Sequence, residues 1–124
     1  MPGTNTPSSS NSYFKDIDRA PYELGCLLQQ LPEDFSTAKP KTPEVLLKVA
    51  AAANHARNAN DTLMSGLEAL GKTLFVAASN EQLDALTVSD LGCLIQHLAV
   101  EAQFLQETQS HLRYASGRHN RGGA

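Results

Sequence analysis

The sequence lacks tryptophan, has only two cysteines and contains no proline beyond Pro43. Cys26 and Cys93 are too few for a disulfide framework, so both thiols are expected to be reduced. With only 6% aromatic residues, a core must be built mainly from Leu, Ala, Val and Ile. The absence of proline from the rest of the chain favours long helices there.

The sequence also has little net charge and no long apolar run. The formal net charge is −3, which is too small to indicate a nucleic-acid mimic or a membrane-surface binder. No apolar run approaches the roughly 20 residues of a membrane span, and the Ser-rich N-terminus lacks the apolar segment of a signal peptide. A chain of 124 residues fits one small domain. We therefore expect a cytoplasmic protein without a membrane partner.

The segment from Thr42 to Ala78 predicts one long amphipathic helix. Thr42 can serve as the N-cap, and Pro43 suits the first helical position because no N–H is needed there. Apolar residues then recur at steps of three and four, at Leu46, Val49, Ala53, Ala56, Leu63, Leu67, Leu70, Leu74 and Ala77. Such a helix would extend roughly 55 Å and must therefore lie along another helix.

Polar residues interrupt this apolar seam near its middle. Arg57 and Asn60 lie on the apolar side, and the stretch 58–61 could break the helix because Asn and Asp compete for backbone hydrogen bonds. We expect a continuous helix, which leaves two interpretations. Either both residues lie at the rim of the seam, or Asn60 pairs across a helix interface and fixes its register.

A second long helix is predicted from Thr87 to Ser116. Thr87 and Asp90 have the spacing of a capping box, and Gly117 can end the helix. Its main apolar stripe consists of Leu91, Leu94, Ile95, Leu98, Ala102, Leu105 and Leu112. The two long helices should form an antiparallel hairpin because the connection between them is short.

A short helix is predicted between Asp18 and Pro32, with an apolar face formed by Leu24, Leu27, Leu28 and Leu31. It is too short to be stable alone and should pack on the hairpin. The predicted fold class is therefore all-α, a long antiparallel helical hairpin with a short N-terminal helix packed on it. We expect a disordered tail over residues 1–12, a single helical domain over 13–116 and a flexible basic tail over 117–124.

The last helix also carries a second apolar patch, on the side away from its main stripe. Cys93, Val100 and Phe104 fall within about 40° of one another on a helical wheel, and His97 lies at the boundary of this patch. A helix with two apolar sides needs two covers. The short N-terminal helix is one candidate cover, and a second copy of the protein is the other.

Two nonapeptides resemble each other, because Glu23–Leu31 reads ELGCLLQQL and Asp90–Leu98 reads DLGCLIQHL. Six of the nine positions are identical. Leu-rich amphipathic helices can look alike by chance. Alternatively, both segments solve the same packing problem, with Gly25 and Gly92 permitting close helix contact.

No catalytic or ligand-binding signature is present. Cys93, His97 and Glu101 share one side of the last helix, and Cys26 could add a fourth metal ligand, but no CxxC, HxxxH or HExxH pattern accompanies them. Cysteines in apolar surroundings are typically ordinary core residues. The other three histidines are expected to be solvated. We therefore predict no enzymatic activity, no metal and no cofactor.

The segment Thr87–Glu107, TVSDLGCLIQHLAVEAQFLQE, resembles short uncharacterised helical proteins of proteobacterial phages and mobile elements. The resemblance rests on helical pattern and on the DLGxLIxxL phrase. It implies a small helical bundle of bacterial or phage origin, and no functional residue can be carried over from it.

Surplus apolar helix surface without a catalytic constellation predicts a non-enzymatic protein–protein interaction module. We expect a homodimer that also binds a protein partner of unknown identity, and inhibition of a host defence or regulatory complex is one version of this role. The alternative is a small nucleic-acid-associated regulator whose Arg-rich C-terminal tail contacts phosphates, through Arg113, Arg118, His119 and Arg121.

Overall fold

The computed structural model describes residues 11–35 and 40–122, with the backbone alone for residues 117–122. Within these ranges the chain forms three α-helices and no strand: α1 (Ala20–Gln30), α2 (Pro43–Ser79) and α3 (Ala85–Gly122). A 3-10 turn, Ile17–Arg19, leads into α1. The long helices α2 and α3 pack against each other as an antiparallel hairpin, and α1 packs on α2. The predicted fold class is confirmed.

Helix α2 is continuous through the polar stretch near its middle. Its N-cap is Thr42, whose Oγ1 accepts a hydrogen bond from the Val45 backbone N–H at 3.2 Å. Residues 58–61 stay helical, and Ala59 within this stretch and Ala56 just before it are buried in the core. Packing of this face outweighs the local preference of Asn and Asp for turns.

The start of α3 differs from the prediction. The helix begins at Ala85, so Thr87 already lies inside it. Asp84 takes the capping role, because its Oδ1 accepts a hydrogen bond from the Thr87 backbone N–H at 2.7 Å. This hydrogen bond is also the main cause that lowers the pKa of Asp84 below its usual value. Asp and Thr are both good N-cap residues, so local pattern alone does not separate the two positions.

Both ends of the helical body also differ from the prediction. Helix α3 continues past Gly117 to Gly122. A glycine inside a helix costs about 1 kcal/mol but, unlike proline, keeps its backbone hydrogen bond. At the other end Asn11, which belongs to the tail predicted to be disordered, contacts α2: its Nδ2 donates a hydrogen bond to the Leu47 carbonyl at 3.0 Å. The rest of the tail predicted over residues 1–12 lies outside the described residues, apart from Ser12.

The hairpin turn is closed by backbone hydrogen bonds at the end of α2. The N–H of Gln82 donates to the Ala77 carbonyl at 2.9 Å, and the N–H of Glu81 donates to the Ala78 carbonyl at 3.1 Å. This is the Schellman arrangement, which places the residue after the C-cap in the left-handed region. Glu81 occupies that position with φ of 56°.

The core lies at the end of the hairpin where α1 packs. It is built from buried side chains of all three helices: Ala20, Leu24, Leu27, Val49, Ala51, Ala52, Ala53, Ala56, Ala59, Leu105, Leu112 and Ala115. Alanine dominates the part from α2, so the backbones of α1 and α3 can approach this helix closely. The fold is therefore a three-helix bundle at one end and a two-helix hairpin at the other.

Candidate functional site

Burial falls steeply along the hairpin. At the α1 end, Val49, Ala56 and Leu112 are completely buried. Towards the turn, the apolar seam between α2 and α3 is only half-buried, at Leu63, Leu67, Leu70, Leu74, Leu91, Ile95 and Leu98. Among the described residues, no third element packs over this half. Two helices alone cannot enclose their shared seam, so the turn end of the hairpin exposes apolar surface.

We name one surface of this half the open face. It lies on the same side of the hairpin as α1 and extends from α1 towards the turn. On α2 it comprises Thr62, Gly66, Ala69, Thr73 and Val76, and on α3 it comprises Leu86, Cys93, Leu94, His97, Val100 and Phe104; all eleven are exposed. The side is fixed by a groove that Thr62 of α2 and Glu101 of α3 line together with Ala20 and Pro21 of α1. The other residues follow from Thr62 and Glu101 at helical spacing.

The second apolar patch predicted on the last helix lies on this open face. Cys93 and His97 are exposed, and Val100 and Phe104 are 62% and 54% exposed. Helix α1 therefore does not cover them. Leu94, predicted to belong to the main stripe, is also exposed and widens the patch.

Arg57 and Asn60, the polar residues of the α2 seam, have different environments. Arg57 is exposed, as expected for a residue at the rim. Asn60 is half-buried, and its Oδ1 is buried without a hydrogen-bond partner in the described part of the chain. Within the described part of the chain, Asn60 therefore has no partner for the pairing across a helix interface.

Four helical glycines in the described residues do not serve close packing inside the molecule. A Cβ added to Gly25, Gly66, Gly71 or Gly92 would meet no atom within 4 Å. The prediction that Gly25 and Gly92 permit close helix contact is therefore wrong within one chain. On the open face, the small residues of α2 instead leave its backbone accessible from outside.

An apolar groove of about 450 Å³ lies where α1 begins, at the border of the open face. Its lining combines apolar residues with two carboxylates: Ile17, Asp18, Ala20, Pro21, Ala59, Thr62, Leu63, Glu101 and Leu105. No cationic side chain belongs to this lining. The groove therefore lies at the boundary between the three-helix end and the two-helix end of the hairpin.

His55 is completely buried, so the prediction that it is solvated is wrong. Its ring packs on that of Phe14, and both ring nitrogens lack a hydrogen-bond partner within the described ranges. Burial lowers the pKa of His55, against the opposing influence of the Glu23 and Asp16 carboxylates. The run of alanines around His55 was the only sequence signal of its burial. His55 is therefore part of the packed interior of the three-helix end.

The described residues contain neither a candidate metal-binding cluster nor a candidate membrane-spanning helix. No group of three or more His, Cys, Asp or Glu side chains in this part of the chain is arranged to hold a metal ion. None of its helices has the length and apolar content that crossing a membrane requires. Cys26 is half-buried and Cys93 is exposed, and both are free thiols.

Comparisons with protein-family models, curated proteins and solved structures find no match to this chain.

Proposed function

We propose that the protein is a non-enzymatic helical interaction module that works as a homodimer through its open face. The observation that carries this proposal is the contrast in burial along one helix. Leu112 is fully buried in the three-helix end, whereas Leu98, on the same stripe of α3, is only half-buried. A second copy gives the turn end the cover that α1 gives the other end.

The chemistry of the open face favours association. Leu86 is 73% exposed, and Val100 and Phe104 lie on the same side of α3. Large apolar side chains exposed on one face in this way are typical of interaction sites on small proteins. The exposed Gly66 and Ala69 of α2 allow a partner helix to approach closely. A twofold dimer, in which both copies use the same surface, is the commonest way to cover such a face.

The size of the open face fits a weak but specific dimer. From Thr62 to Val76 it extends roughly 20–25 Å at 1.5 Å per residue, and it is about 20 Å wide because two helices form it. Each copy therefore contributes on the order of 500 Å², and the total of about 1,000 Å² lies at the lower limit for a specific interface. Association in the micromolar range is expected.

A further protein partner, including a host complex that the dimer would inhibit, stays a prediction from the sequence. The nucleic-acid alternative depends on Arg118, His119 and Arg121, whose side chains lie outside the described residues. The homodimer is therefore the part of the function to test first.

Light scattering coupled to size-exclusion chromatography tests the proposal with two matched charge variants. Phe104→Glu places a carboxylate in the open face, and Gln106→Glu adds the same charge to an exposed position on the opposite side of α3. At tens of micromolar we expect dimers for the wild type and Gln106→Glu, and a monomer of unchanged helicity for Phe104→Glu. A monomeric wild type, or a Phe104→Glu chain that still forms the dimer, would overturn the proposal.

A further inference from the structure

We infer that the two copies pack antiparallel, so that the hairpin turn of each copy closes the apolar groove beside α1 of the other. This inference rests on the proposed homodimer, and it adds the orientation of the copies and the occupant of the groove.

Positions along the hairpin can be counted from its turn. Helix α2 ends at Ser79 and α3 begins at Ala85, so residues equally far from these two ends lie at the same height. The lining of the groove is consistent with this count. It includes Ala59, twenty residues before Ser79, and Leu105, twenty residues after Ala85. The open face thus extends from the turn to the groove. Its midpoint lies ten residues from the turn.

Four of the six open-face residues of α3 pair about this midpoint, which falls at Ile95, whereas the positions that mirror Leu94 and Val100 are Gln96 and Asp90. Leu86 lies nine residues before Ile95 and Phe104 lies nine residues after it, and Cys93 and His97 flank it at two residues. In an antiparallel pair with the twofold axis at this height, Leu86 packs against Phe104 of the partner subunit. The apolar side chains then cover each other at both ends of the interface.

The same midpoint falls at Ala69 on α2. Val76 and Thr62 lie seven residues on either side of it, and Gly66 and Thr73 lie between them. All five residues are exposed and, except for Val76, small or polar. An antiparallel pair therefore crosses the two copies of α2 at their smallest side chains, where close approach is possible.

Helix α1 decides between the two possible orientations. It lies on the same side of the hairpin as the open face, and a helix with its side chains is about 10 Å thick. In a parallel pair the α1 helices of the two copies would meet and hold the hairpins apart. In an antiparallel pair each α1 lies beyond the turn of the other copy, so the open faces can touch along their full length.

The antiparallel arrangement also determines what fills the groove. A twofold axis ten residues from the turn carries the turn of one copy to the height of Ala59 and Leu105 in the other, which is the position of the groove. The turn brings apolar side chains for it, since Leu83 is half-buried and Leu86 exposed in one chain. The register also brings Asp90 close to Glu101 of the partner subunit, so Asp90→Asn should tighten the dimer.

Electron–electron distance measurements between nitroxide labels test the orientation. The labels are attached to Asn80→Cys, at the turn, or to Gln96→Cys, near the midpoint, in the full chain with Cys26→Ser and Cys93→Ser. Because Cys93 lies on the open face, light scattering first establishes that this background without labels has the same mass as the wild type. An antiparallel dimer separates the two labels at position 80 by about 35 Å, because each lies eleven residues from the axis, and it brings those at position 96 within about 25 Å.

The possible results separate this inference from the proposed dimer. A distance below about 20 Å between the labels at position 80, in a species of dimeric mass, would show a parallel pair and overturn the antiparallel arrangement alone. A monomeric mass with no dipolar coupling at either position, for the labelled and the wild-type chain alike, would overturn the dimer and the orientation together.

Discussion

The ring of Phe14 packs on the imidazole of His55, with 4.8 Å between the ring centroids. Phe14 belongs to a short strap of residues 11–14 that crosses the N-terminal half of α2. Asn11 holds this strap by donating to the Leu47 carbonyl, and the Tyr13 hydroxyl donates to Glu44 Oε2 at 3.0 Å. The strap therefore contributes to the burial of His55.

Acidification should destabilise the fold through His55. Burial lowers its pKa below the usual 6.5, so the unfolded chain binds a proton more readily than the folded chain. The free energy of unfolding is therefore undiminished above the usual pKa of His55, and it decreases as the pH falls below that value. His55→Leu removes the titrating group, and its melting temperature should decrease less than that of the wild type between about pH 7 and about pH 5. His111→Leu, at an exposed position, should keep the wild-type dependence; equal pH dependence in all three chains would contradict the assignment.

The capping of α3 predicts which of two neighbouring substitutions is harmful. Asp84→Ala removes the acceptor of the hydrogen bond from the Thr87 N–H, whereas Thr87→Ala leaves that hydrogen bond in place. Thermal melts followed by circular dichroism should therefore show a lower melting temperature for Asp84→Ala than for Thr87→Ala. Asp84→Asn, which retains an acceptor, should fall between Asp84→Ala and the wild type. The reverse order for the two alanine variants would place the cap at Thr87.

A substitution in the hairpin turn should stabilise the protein. Glu81 adopts a left-handed backbone with φ of 56°, a conformation that costs a non-glycine residue about 1–2 kcal/mol. Glu81→Gly removes this strain, and the greater freedom of glycine in the unfolded chain offsets part of the gain. We expect a net stabilisation of about 0.5–1 kcal/mol in urea denaturation. Destabilisation by Glu81→Gly would show that the Glu81 side chain stabilises the turn by more than the strain costs.

Two leucines on one stripe of α3 should differ in their effect on stability. Leu112 is fully buried, so Leu112→Ala should cost about 2–5 kcal/mol through lost burial and the cavity left behind. Leu98 is only half-buried in one chain, so Leu98→Ala should cost less. The comparison is made by urea denaturation in the monomeric Phe104→Glu background, where no second copy covers Leu98. Equal losses there would mean that a single chain already buries Leu98.

The helices and their order could be predicted because their signals are local. Thr42 and Pro43 start α2, and the steps of three and four between apolar residues define its seam. The predicted start of α3 is wrong because Asp84 and Thr87 are both good caps, and local sequence does not rank them. Its end was misplaced because Gly117 can either end a helix or continue it.

The candidate site could be predicted only in part. A helical wheel places Cys93, Val100 and Phe104 on one side of α3, because that side depends on spacing alone. The exposure of Leu94 and the half-burial of Leu98 depend on where α1 begins and ends along the hairpin, which no local pattern encodes. The burial of His55 likewise depends on a contact with the strap, distant in the sequence.

Sedimentation equilibrium of the wild-type chain between about 1 and about 100 micromolar tests the homodimer most directly, since this range brackets the association expected for an interface of this size. The mass of one chain is 13.3 kDa. We predict that the apparent mass rises with concentration from this value towards twice this value, and that Phe104→Glu stays at the mass of one chain throughout. A wild-type chain that also stays at 13.3 kDa over the whole range would show that the open face is not a homodimer interface.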